Sequence, residues 1–72
     1  MTNKYMNLTE ITDGDRKAIV IRSVGTEDRT FGVKFFESNQ SVGIEWYDNK
    51  SESYAENAAE NWVVGIKETP TF

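Results

Sequence analysis

The chain has 72 residues, 12 acidic against 8 basic for a net charge of −4, and contains neither histidine nor cysteine. That length predicts one domain over residues 1–72 with a core worth only about 3–5 kcal/mol, and the missing residue types exclude disulfide staples, thiolate metal sites and imidazole catalysis. The acidic balance repels phosphate backbones and so disfavours nucleic acid as a partner, while the absence of a long apolar run points to a soluble, cytoplasmic chain with no membrane segment.

Residues 4–11 alternate only loosely and read as a weak N-terminal edge strand, leading into Thr12-Asp13-Gly14-Asp15, where Asp-Gly signals a hairpin. Residues 16–24 are rich in β-branched side chains with apolar character on both faces, which predicts a strand closed by the polar loop Gly25 to Arg29. Residues 30–37 alternate with Phe31, Val33 and Phe35 on one side, and residues 41–47 with Val42, Ile44 and Trp46 on one side, so both are strands. A two-residue turn at Asn39-Gln40 sets Phe35 against Ile44, Val33 against Trp46 and Lys34 against Glu45. The same register covers Gly32 with Tyr47 and Gly43 with Phe36.

From Ala55 through Ala58, Ala59, Trp62, Val63 and Ile66 the apolar residues recur at intervals of three and four, which predicts an amphipathic helix over 54–64. Ser53 with Glu56 three residues on forms a capping box, and Gly65 suits the left-handed position after the last turn, with Ile66 able to fold back on it. "WVVGI" is short and β-branched enough to open a last strand instead, but spacing and caps agree on the helix. Residues 67–72, around Pro70, form a short tail.

The expected architecture is α+β, an antiparallel meander of three to four strands with one C-terminal helix packed on one face. Its core would set Ile19, Ile21, Phe31, Val33, Phe35, Ile44 and Trp46 against Ala55, Ala59, Trp62 and Val63.

Little here equips the chain for chemistry. A single helix on a small sheet offers little concavity for the carboxylates, lysines and tyrosines that remain, so no enzyme, cofactor or metal is expected. Asp13-Gly14-Asp15 lacks the spaced acids of a calcium loop, with Val24 where the closing glutamate would fall, and Gly32 and Gly43 lie inside strands rather than in a phosphate loop.

The outer sheet face is the expected partner-binding surface, displaying Val20, Arg22, Lys34, Phe36, Glu45 and Tyr47. The bland alternative is that Phe36 and Tyr47 merely shield their cross-strand glycines. A chain of this kind reads as a non-enzymatic protein-binding domain, a small acidic inhibitor or modulator of a larger protein such as bacteriophages encode. Two alternatives stand beside it: a homodimer assembled through a sheet edge or the outer face, and a nucleic-acid mimic presenting Asp48, Glu52, Glu56 and Glu60. Glu52 and Glu56 have ordinary helix-start explanations. Glu60 has none.

Overall fold

Four antiparallel strands, β1 (Tyr5–Asp13), β2 (Arg16–Ser23), β3 (Phe31–Glu37) and β4 (Gln40–Tyr47), precede one helix, α1 (Glu52–Val63), in a computed structural model that describes residues 5–24 and 30–66. The strands lie in one sheet in sequence order, and α1 crosses one face of it mainly over β1, β2 and β3. The α+β meander with a C-terminal helix is thus the fold. The tail at 67–72 and the loop acids Glu27 and Asp28 lie outside the described residues.

Tight turns set the strand order. Gly14-Asp15 closes β1 on β2 with Gly14 at φ +63°, where glycine carries no Cβ penalty. Ser38-Asn39 closes β3 on β4 with both residues at positive φ, 52° and 66°, as a two-residue hairpin turn matched to strand twist requires. Asparagine tolerates that conformation and glutamine does not readily, which accounts for the turn lying one residue before the expected Asn39-Gln40.

That displacement alone would have kept every β4 side chain on its expected face. A bulge overturns the expected register instead. Glu37 pairs with Gln40 and Phe36 with Ser41, but Phe35 then pairs with Gly43, so Val42 is an extra residue on β4. Beyond it the pairs are Lys34 with Ile44, Val33 with Glu45, Gly32 with Trp46 and Phe31 with Tyr47. Because side-chain direction alternates, one inserted residue exchanges the faces of everything after it. Ile44 and Trp46 leave the core for the outer face, and Glu45 and Tyr47 come to the helix side.

The core between sheet and helix consists of Ala18, Val20, Val33 and Phe35 from the sheet with Ala55, Ala59, Trp62 and Val63 from α1. Phe35 and Trp62 meet at 4.9 Å between ring centres. On β2 the faces are again the reverse of the expectation. Val20 faces the helix, whereas Ile19 and Ile21 point outward opposite Lys34 and Gly32. Small Ala18 and Val20 leave room for the indole of Trp62. The two isoleucines serve the other face, where Ile21 is nonetheless fully buried.

The helix begins two residues before its expected start. Ser51, not Ser53, is the cap: its Oγ accepts from the Tyr54 amide at 3.2 Å, and Glu52 enters the first turn near the positive end of the dipole. Two serines two apart both satisfy a cap pattern, and the chain turned by left-handed Asn49 reaches Ser51 first. The far end matches the expectation. Gly65 at φ +89° donates to Trp62 O at 3.0 Å and Ile66 donates to Asn61 O at 2.8 Å, the paired bonds of a glycine-terminated helix. Residues 62–66 therefore end the helix rather than open a strand, although Ile66 stays 75% exposed instead of folding back.

Candidate binding surfaces

The sheet face opposite α1 is covered by no described element. Its centre is built by Gly32 and Trp46. A Cβ on Gly32 would come within 2.7 Å of Trp46 Cε3, so the indole lies where a side chain is missing, and 39% of Trp46 remains exposed. Tyr5, at the start of β1, meets that indole edge-on at 6.3 Å.

Lysines bind these rings into one network. Lys34 Nζ donates to the Tyr5 hydroxyl at 2.8 Å and stands 5.0 Å from the Tyr5 ring centre and 5.4 Å from that of Phe36. Lys17 Nζ, on the neighbouring strand, is 5.0 Å from the same Phe36 ring. Each ammonium on a ring face gains roughly 0.5–1 kcal/mol at an exposed site, and together they restrict side chains that would otherwise sample many rotamers. Half-buried Ile19 and Ile44 complete the face, and Glu10, opposite Ile19, is its one acid among the described residues.

Of the six residues expected on this surface, Lys34 and Phe36 are there. The other four face the helix side. Val20 is core. Arg22 lies opposite Phe31 and Met6, donating to Met6 Sδ at 3.4 Å, and its buried Nε meets no acceptor among the described residues. The expected pair of Lys34 with Glu45 does not form, since the two point to opposite faces.

Glu45 and Tyr47 instead line a groove of about 740 Å³ between β4 and α1, walled on the helix by Tyr54, Asn57, Ala58 and Asn61. The groove exists because α1 sits mainly over the first three strands and leaves the helix side of β4 only partly covered. Tyr47 donates to Glu45 Oε1 at 2.6 Å, and burial, that hydrogen bond and the carboxylate's charge all push the phenol well above its ordinary value. Tyr47 and Tyr54 stand edge to face at 5.2 Å.

The four acids of the mimicry alternative sit apart from both surfaces. Asp48 is exposed in the turn before α1, and Glu52, Glu56 and Glu60 follow at intervals of four along one helix flank, Glu56 half-buried. Glu60 lies beside Ile11, Thr12 and Asp13 of β1. Among the described residues no cluster of three or more acids could hold a metal, and no helix is long and apolar enough to cross a membrane.

Sequence reasoning missed Tyr5, Lys17 and Trp46 on the outer face, and Tyr54, Asn57 and Asn61 in the groove. The helical trio was legible as a stripe at intervals of three and four beside the apolar one. Trp46 was not, since its alternation with Val42 and Ile44 assigned it to the core. Comparison of the chain with protein-family models, curated proteins and solved structures finds no match.

Proposed function

We propose that the chain is a non-enzymatic protein-binding module, a small acidic inhibitor or modulator of a larger protein, and that its docking surface is the uncovered sheet face. The observation that carries this reading is the network of Tyr5, Lys34, Phe36 and Trp46 on a face where no described element packs. Tryptophan and tyrosine at the centre of a patch are the residues on which binding energy concentrates. Lysines already held on aromatic faces lose less freedom when a partner arrives, which lowers the ordering cost of docking.

Affinity capture with the intact chain, followed by titration of the captured partner, tests the reading. Trp46→Ala is expected to weaken binding by about 2 kcal/mol, roughly thirtyfold, and Phe36→Ala by less. Glu60→Lys, on the helix flank, should leave affinity within a few-fold. If Trp46→Ala and Phe36→Ala retain every partner at full affinity, the sheet face is not the docking surface. Loss of binding on Glu60→Lys with a steep salt dependence would transfer the function to the acids.

A further inference from the structure

We infer that the occupant of the outer sheet face is an acidic protein segment, one that sets carboxylates beside a large apolar side chain. The inference rests on the reading of that face as the docking surface and adds the chemistry of the partner.

The charge of the face is opposite in sign to that of the chain. The chain carries 12 acidic against 8 basic residues, yet the outer face presents Lys17 and Lys34 against Glu10 alone among the described residues. Neither lysine faces an acid across the sheet. Lys17 stands between Thr12 and Phe36, and Lys34 between Ile19 and Ile44. Neither forms an ion pair with a described residue.

Both ammoniums stand over one ring, that of Phe36, at 5.0 and 5.4 Å from its centre. Lys34 gives one donor to the Tyr5 hydroxyl and Lys17 gives none to a described residue, so N–H donors remain on both. Two like charges on adjacent strands repel each other, and an anion brought to them turns that repulsion into attraction.

The apolar surface beside the lysines fixes the rest of the ligand. Lys34 pairs with Ile44, and Trp46, 39% exposed, follows Ile44 on the same face. A carboxylate held at the lysines therefore brings a neighbouring side chain of its segment onto the indole. A basic segment would meet two ammoniums, and a purely apolar one would strip them of water with nothing in exchange. A nucleic-acid strand fits less well. Its affinity grows with the number of phosphates neutralised, and two lysines in a chain of net charge −4 neutralise few. Ammoniums also stand already over Tyr5 and Phe36, where bases would stack.

The test is an NMR titration of the isotope-labelled full chain with capped Leu-Glu-Phe-Glu-Leu, with its glutamine and lysine analogues, and with a short oligothymidylate. The glutamate peptide should shift the Trp46 indole N–H and the amides of 17–19 and 34–36. The glutamine peptide should bind about tenfold more weakly, and the lysine peptide not measurably. Lys17→Gln and Lys34→Gln, neither in the core, should each weaken the glutamate peptide several-fold and leave the glutamine peptide unchanged. Loss of packing alone would weaken both peptides. Added salt should narrow the gap between them. Equal affinity for the glutamate and glutamine peptides overturns the acidic occupant. Tighter binding of the oligothymidylate than of the glutamate peptide would assign the face to nucleic acid and overturn it as well. Trp46→Ala distinguishes these outcomes from failure of the docking surface itself. If it weakens both peptides alike while the lysine variants change nothing, only the charge selection fails. If Trp46→Ala is silent and the shifts lie on other surfaces, the docking surface fails and takes this inference with it.

Discussion

Arg16 secures the end of the helix through Trp62. Its Nη1 donates to the Trp62 carbonyl at 2.8 Å, and its guanidinium carbon lies 4.8 Å from the centre of the same indole. α1 has no basic residue in its last turn, so β2 supplies from the sheet the positive charge that the helix C-terminus favours.

Replacing Arg16 by glutamine should therefore cost roughly 1–3 kcal/mol, a large share of the stability available to a chain this small. Arg16 Nε also pairs with Glu37 at 3.0 Å, but both side chains are partly solvated, at 31% and 47% exposure. Removing only that pair, as Glu37→Gln does, should cost less than about 1 kcal/mol. Urea denaturation of the two variants separates the contributions, and equal losses would show that the surface pair dominates.

Gly32→Ala tests the bulged register. The added methyl would meet Trp46 Cε3 and the carbonyl oxygen of Glu45, each at 2.7 Å, and the carbonyl belongs to the adjoining strand and cannot swing aside. The expected loss is about 1–3 kcal/mol with a shift in tryptophan fluorescence. Trp46→Ala should relieve only the ring half of the clash, so a double-mutant cycle reads the coupling directly.

The helix start discriminates between two serines. Ser51→Ala removes the acceptor of the Tyr54 amide and should cost about 1 kcal/mol, whereas Ser53→Ala, inside the first turn and exposed, should fall within about 0.5 kcal/mol of the parent. The opposite ranking in thermal unfolding would return the cap to Ser53.

Alkaline stability should depend on Tyr47. Its phenol is raised in the folded chain from the ordinary value of 10.0, so the folded state binds that proton more tightly than the unfolded state does. The contribution is complete below pH 10 and lost progressively as pH rises above it. Tyr47→Phe should weaken this alkaline decline while leaving the neutral-pH limb flat. A parent chain whose urea midpoint stays constant well above pH 10 would contradict the assignment.

The order and kind of the elements were legible in the residues, and their number to within one strand. Alternation in β3, β-branching in β2, the Asp-Gly hairpin and the spacing from Ala55 to Val63 each depend on local physics that tertiary contacts only reinforce. Gly65 likewise marked the helix end, because so few residues adopt the left-handed conformation there.

What the tertiary structure decided was which way side chains point. β2 is apolar on both faces, so nothing local told Val20 from Ile21, and packing under Trp62 made the choice. In β4 one extra residue at Val42 carried Trp46 outward to cover Gly32 and brought Glu45 and Tyr47 inward to line the groove. A bulge has no residue signature comparable to a turn's, and a side-chain period of two turns one inserted residue into a complete exchange of faces. Elements follow from local preference, but surfaces follow from register, and register is settled only when the strands meet.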